Sequence, residues 1–185
     1  MILDKATILA AASEARSIYS YRIESFLRFD SAETYDLFIS HSFHDKELVI
    51  GLVQLFKKAG YKVYVDWIED RGLDRENVDE KTAKLIRERI KRSQGLAYIS
   101  TSNIENSKWC PWELGVSDGM HGRACILPVM MSEFKGQEYL SLYPYIEYGR
   151  RNGYYRNDFI VIDQNDESKY IELRKWLSGD SPYRH

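Results

Sequence analysis

Residues 35–45, Tyr-Asp-Leu-Phe-Ile-Ser-His-Ser-Phe-His-Asp, decide the fold. Tyr35 to Ser40 is a short apolar run, the pattern of a strand buried on both faces. The loop His41–His44 follows. Asp45 then stands where a helix N-cap is needed, ahead of Leu48, Leu52, Leu55, Phe56 and Ala59 at helical spacing, with Gly60 as the stop. Residues 61–66 (YKVYVD) are β-branched and aromatic and read as a second strand.

Downstream the alternation continues. Residues 67–78 are polar, contain Gly72 and read as a loop. Asp79 is placed to cap a helix with Ala83, Leu85, Ile86 and Ile90 on its inner face and Gly95 beyond its end. Strands follow at 96–100 (LAYIS), 124–130 (ACILPVM) and 159–163 (FIVID), with a short helix at 112–118 and a last one at 169–177. Strand and helix in turn, with short connections, predict a doubly wound α/β domain with a central parallel sheet flanked by helices. Ligands of such sheets sit past the carboxyl ends of the strands, near a topological switch point. The loops 41–44, 67–78 and 101–113 all leave such ends, so they are expected to share one mouth.

Upstream, residues 2–29 repeat Ile8, Ala11, Ala12, Ala15, Ile18, Ile23 and Phe26 at helical spacing, and 30–34 are small and polar. This predicts a helical extension over 1–33 and a main domain over 34–185. An apolar stripe outside the main core needs a partner surface, either the chain's own domain or a second subunit, and the second subunit is the expectation here.

Composition excludes several classes. The 185 residues are 44% hydrophobic and 29% charged with a net charge of -2, so no global basic field points to nucleic acid or a membrane surface. Cys110 and Cys125 are too few for a disulfide framework or a four-ligand zinc site, which suggests a reducing compartment. The apolar run at 6–12 is shorter than a secretory h-region, and no run reaches membrane-span length. A cytoplasmic location is the expectation.

The stretch 107–115, Ser-Lys-Trp-Cys-Pro-Trp-Glu-Leu-Gly, concentrates the chemistry. Trp109 and Trp112 offer stacking faces for a planar heterocycle, and Glu113 a carboxylate that orients sugar hydroxyls or stabilises developing positive charge. The plain alternative is that both tryptophans are core and Glu113 suits a helix start. His41 and His44 with Asp45 suggest a metal site, but spacing places no third ligand with the two histidines, so none is expected. Cys110 as a nucleophile, and Ser42 without a G-x-S-x-G elbow around it, are weaker candidates than Glu113. Lys84, Arg87, Arg89, Lys91 and Arg92 read as a solvated helix face. Tyr139, Tyr143, Tyr145, Tyr148, Tyr154 and Tyr155 suit a subunit surface, a pocket wall or plain surface packing.

In this order and at this spacing, YDLFISHSFHD, GYKVYVD and SKWCPWELG resemble a Toll/interleukin-1 receptor (TIR) domain over roughly residues 34–178. The tract LDRENVDEKTAKLIRERI is similar to stand-alone bacterial TIR proteins, including those of Thoeris anti-phage defence. The resemblance implies a flavodoxin-like fold with an extra N-terminal helix. It implies an enzyme that cleaves NAD, releases nicotinamide and makes an ADP-ribose-derived, cyclic signal. NAD is then the substrate, and no cofactor is needed. The family's catalytic glutamate falls on Glu113, its nearby aromatics on Trp109 and more loosely Trp112. Its first loop falls on Ser40 to Asp45, with Ser42 and Phe43 nearest the ligand, and its second loop opens at Asp66 and Trp67. Self-association and a separate effector that senses the product are implied partners. Residues 67–78 lack the proline that signalling members carry there. The alternative is a non-catalytic TIR module that assembles with other TIR proteins.

One carboxylate suits the implied reaction. Nicotinamide joined through its ring nitrogen is already cationic and leaves neutral without a general acid, unlike the leaving oxygen of a glycosidase substrate. Water as the attacking group gives ADP-ribose; the substrate's own adenine gives a cyclic product.

Overall fold

The computed structural model describes residues 3–19, 34–70, 79–104, 107–129, 137–149 and 158–185. Among them are helices α1 (Lys5–Tyr19), α2 (Lys46–Lys58), α3 (Glu80–Lys91), α4 (Trp109–His121) and α5 (Leu173–Leu177). The strands are β1 (Tyr35–Ser40), β2 (Val63–Tyr64), β3 (Ser93–Ser100), β4 (Ala124–Pro128), β5 (Tyr145–Tyr148), β6 (Phe159–Ile162), β7 (Lys169–Glu172) and β8 (Tyr183–Arg184).

All eight strands form one sheet in the order β2-β1-β3-β4-β5-β6-β7-β8. The first five run parallel in the 2-1-3-4-5 order of flavodoxin-like sheets, whose switch point lies between β1 and β3. The last three are joined antiparallel. Alternate residues feed two cores: Leu37, Ile39, Ala97 and Ile99 one face, Phe38, Leu96 and Tyr98 the other. The first core lies under α1 and α2, the second under α3 and α4.

The expected strand at 35–40 and the helices after Asp45 and Asp79 are present. Asp79 accepts from the Thr82 backbone N–H at 2.6 Å, as an N-cap should. Asp45 occupies the cap position of α2 but makes no side-chain cap bond; its carboxylate serves the loop after β3 instead.

Several expectations are corrected. Gly95 does not stop α3; it lies inside β3, where an added Cβ would stand 2.9 Å from the Arg123 carbonyl oxygen. That close backbone approach explains the glycine. The helix expected at 112–118 starts earlier, at Trp109, because Pro111 in a first turn removes no intrahelical hydrogen bond. The helix expected over 169–177 is half strand: Tyr170 and Ile171 pair with β6 before α5 begins. The fifth parallel strand is Tyr145–Tyr148, in the tyrosine-rich stretch, and 159–162 is its antiparallel neighbour. The loop expected from Trp67 begins as one helical turn, Asp66–Glu69. Its remainder, 71–78, lies outside the described residues, as do Tyr154 and Tyr155.

The stripe on α1 is covered by the chain itself. Ile8, Ala11, Ala12 and Ala15 are buried in the same core as α2, and Arg16 and Lys58 pair across the two helices with Glu47 and Glu14. This corrects the expectation of a second subunit for these residues. With sheet on one side and α1 on the other, α2 buries the unbroken run Leu48–Phe56. Residues 20–29 of the expected helix lie outside the described residues.

Candidate active site

The site is assembled at the carboxyl ends of β1 and β3. Ser40 is the last residue of β1, paired in register with Tyr98 of β3. Its Oγ donates to Glu113 Oε2 at 2.6 Å, and both residues are fully buried. Glu113 sits in the second turn of α4, whose amino end points toward the same strand ends. A carboxylate at 2.6 Å from a hydroxyl lies in the range of charge-assisted O–H···O bonds.

The three loops converge on the first of them. His41 Nδ1 lies 3.0 Å from the Ile39 carbonyl, and the Trp67 indole N–H donates to His41 Nε2 at 3.1 Å. A carbonyl only accepts and an indole N–H only donates, so these two contacts suit a hydrogen on Nδ1 and a lone pair on Nε2, with the Asp66 carboxylate 3.6 Å from Nε2. This joins the second loop to the first through both ring nitrogens of His41. The third loop is tied in twice. Thr101 Oγ1 and Asn103 Nδ2 donate to the buried Asp45 carboxylate, both at 2.6 Å, and Cys110 Sγ donates to the His41 carbonyl at 3.2 Å.

The residues singled out from sequence take distinct places. Asp66 is buried and accepts from the Trp67 backbone N–H at 2.7 Å, so it shapes the turn that presents Trp67. Trp67 is half-buried; Phe43 is 61% exposed, with the Lys46 ammonium 4.2 Å above its ring and 5.7 Å from that of Trp67. A cation and two aromatic faces thus stand at the lip. Ser42 is buried and accepts from the His44 backbone N–H at 3.4 Å. Trp109 is buried in the core beneath α3 and α4, in an edge contact with the half-buried Trp112, whose other neighbour is the Arg87 guanidinium 5.9 Å away. Cys110 is fully buried and also accepts from Ser107 Oγ at 3.0 Å, an environment for a packed thiol rather than a nucleophile.

The second loop is anchored from below. Arg89 of α3 grips Asp70 through two 2.7 Å bonds, and the Tyr64 hydroxyl adds a third at 2.8 Å. Burial pushes the Asp70 carboxyl up, but these donors outweigh it and hold the group below its ordinary value. Tyr35, buried beside Glu69, is pushed up to about 12.

Sequence reasoning named Ser40 only as the start of the first loop and gave no role to it, Thr101 or Asn103. Ser40 is a polar residue closing an apolar run, but its partner lies 73 positions away, and no local pattern announces that. A cleft of about 340 Å³ lined by Asp118, Gly122, Ala124, Tyr143 and Trp176 lies at the opposite, amino end of β4. None of the residues described above for the site lines it.

The chain is similar to known proteins along most of its length. The chain is 37% identical over 169 residues to the probable 3' cyclic ADP-D-ribose synthase ThsB' of Bacillus cereus (strain MSX-D12), covering 89% of this chain and 86% of that one. It is 35% identical over 97 residues to the putative cyclic ADP-D-ribose synthase TIR2 of Cytobacillus dafuensis, covering 52% of this chain and 25% of that one. A solved TIR domain of the Toll-related receptor TRR-2 from Hydra magnipapillata aligns at 24% identity and a TM-score of 0.41, over 54% of this chain and 73% of that one. Among the described residues no helix is long and apolar enough to cross a membrane. The TIR domain family matches residues 37–159, from β1 to the start of β6. On that match and on the ThsB' likeness along nearly the whole chain, this protein belongs to the TIR domain family.

Proposed function

We propose that this chain cleaves NAD at the bond between nicotinamide and ribose and returns the ADP-ribosyl part as a cyclic ADP-ribose. The observation that supports this most is the buried, hydrogen-bonded Glu113 at the switch point of a chain so similar to a named cyclic ADP-D-ribose synthase. The C–N bond breaks with its electron pair going to the nicotinamide ring nitrogen, which neutralises it. Positive charge develops on the ribose carbon, and the ionised Glu113 stabilises it and holds the ribose hydroxyls. A nucleophile within the same ADP-ribosyl group then closes the ring, and a hydroxyl in that role releases its proton. Low water activity in the pocket favours closure over hydrolysis. NAD enters as substrate and no cofactor is consumed or recycled.

In this reading Ser42, Phe43, Asp66, Trp67, Trp109 and Trp112 form the substrate-binding surroundings, with Phe43 and Trp67 as stacking faces at the lip. The TIR unit is 34–185, with 1–33 as its helical extension. The protein acts in Thoeris-type anti-phage defence in the cytoplasm, associates with itself through TIR surfaces, and hands its nucleotide product to a separate effector. Glu113 has no exposed surface, so catalysis includes a step that uncovers it. That burial is also the one observation favouring a silent interaction module.

One assay separates the two readings. Purified protein is incubated with NAD, and nicotinamide and nucleotide products are resolved by mass spectrometry. The expected result is nicotinamide with an equal amount of cyclised ADP-ribose, and a fall of at least about a hundredfold in folded Glu113→Gln, the scale of lost transition-state electrostatics. Unchanged turnover in Glu113→Gln removes the glutamate from the mechanism. No turnover by the self-associated wild-type protein leaves the interaction module.

A further inference from the structure

We propose that Ser40 is the positioning residue for Glu113: a hydroxyl delivered by the sheet that sets where the carboxylate points when substrate is bound. The inference rests on the reading that Glu113 serves NAD cleavage.

Three observations converge on it. Ser40 belongs to a strand and not to a loop, and β1 is central, paired with β2 on one side and β3 on the other. Its hydroxyl is therefore fixed to a strand held by backbone pairing on both sides, while Glu113 arrives on a helix. The bond is short, 2.6 Å, and wholly buried, so water does not compete for either partner. Burial alone does not produce such a bond on this helix. Ser117, one turn beyond Glu113, is fully buried too, and its hydroxyl has no hydrogen-bond partner among the described residues. The Ser40 contact is thus a specific pairing rather than the general fate of hydroxyls under α4.

The chemistry follows from having one proton to give. A serine hydroxyl that donates to a carboxylate favours its ionised form and fixes the direction of the oxygen it binds. An ionised glutamate pointing in one direction is what a developing positive charge requires. Without the donor, a carboxylate in this enclosed place binds a proton more readily and samples more rotamers.

The test uses the full-length protein with Ser40→Ala, Ser40→Cys and, as control for loss of a buried hydroxyl, Ser117→Ala. NAD cleavage is followed against pH. In parallel, the Glu113 carboxyl is titrated by infrared difference spectroscopy of carbon-13 glutamate-labelled protein, with Glu113→Gln assigning the band. The expected result for Ser40→Ala is a kcat lower by roughly ten- to a hundredfold, the range for a lost hydrogen bond to a charged group. KM stays within about twofold, and the acid limb and the carboxyl titration both move to higher pH. Ser40→Cys, with a weaker donor of similar shape, moves the same way by less, and it answers for Ser40→Ala should the latter fail to fold. Ser117→Ala keeps the wild-type profile. A carboxyl titration unchanged in the Ser40 variants overturns the proposal whether or not NAD is cleaved. A shifted titration in a protein that never cleaves NAD sustains the pairing and rejects only the proposed reaction.

Discussion

At the scale of single residues, the tension is between packing and chemistry at Trp109. It is buried against Trp112 in the core under α3 and α4, so truncation removes a large packed ring. Trp109→Ala is expected to cost about 3–5 kcal/mol of stability, measurable by urea unfolding. Trp109→Phe keeps most of the burial and separates the roles. If the ring also borders the reacting ribose, the folded Phe variant loses NAD turnover by more than its small drop in Tm accounts for; wild-type turnover assigns Trp109 to the core alone. Asp66 shows the same division. Its place at the head of the second loop was legible from sequence, but not that its carboxylate accepts from the Trp67 backbone N–H and shapes the turn that aims Trp67.

At the scale of elements, two contacts hold the pieces in place and each makes a prediction. The helices α1 and α2 meet backbone to backbone at Gly51, where an added Cβ would stand 2.0 Å from the Ile8 carbonyl oxygen. Gly51→Ala cannot be absorbed by a side-chain rotation and is expected to cost about 1–3 kcal/mol, the range for overpacking. The loss should register in Tm together with faster proteolytic cleavage in α1; an unchanged Tm contradicts this packing. The Asp70–Arg89 pair joins the start of the second loop to α3. Asp70 titrates below its ordinary 3.8, so its stabilising contribution is fully present above that value and is lost as pH falls through the lowered one. The Tm gap between wild type and Asp70→Asn should be full near neutral pH and close on acidification, and a gap independent of pH refutes the assignment.

At the scale of the molecule, α1 is part of the domain's own core rather than a spare surface. Removing residues 1–33 uncovers the outward side of the buried run Leu48–Phe56 on α2. The expected outcome is a lower Tm and aggregation by light scattering, and a soluble deletion variant with wild-type Tm contradicts it. The proposed self-association has a separate signature. If assembly uncovers Glu113, specific activity rises with protein concentration, because the competent state is favoured by mass action. Constant specific activity over a hundredfold dilution places the opening step within one chain.

Local signals sufficed for much of this protein. Apolar periodicity and caps mark β1, α2 and α3 within a few residues of their observed bounds, since those patterns reflect which side chains must leave water. The block 107–115 placed Glu113 on a helix after the third strand, because its landmarks are contiguous, although that helix starts four residues before Glu113. Tertiary structure decided the rest. The stretch 169–172 looked helical but became a strand because the edge of β6 offered unpaired backbone groups. The α1 stripe found its partner in α2, a choice that periodicity does not encode. The pairing of Ser40 with Glu113 exists only once β1 and α4 are brought together across 73 positions of chain. Side chains that meet through the fold are chosen by packing in three dimensions, and a short window of sequence holds only one of the two partners.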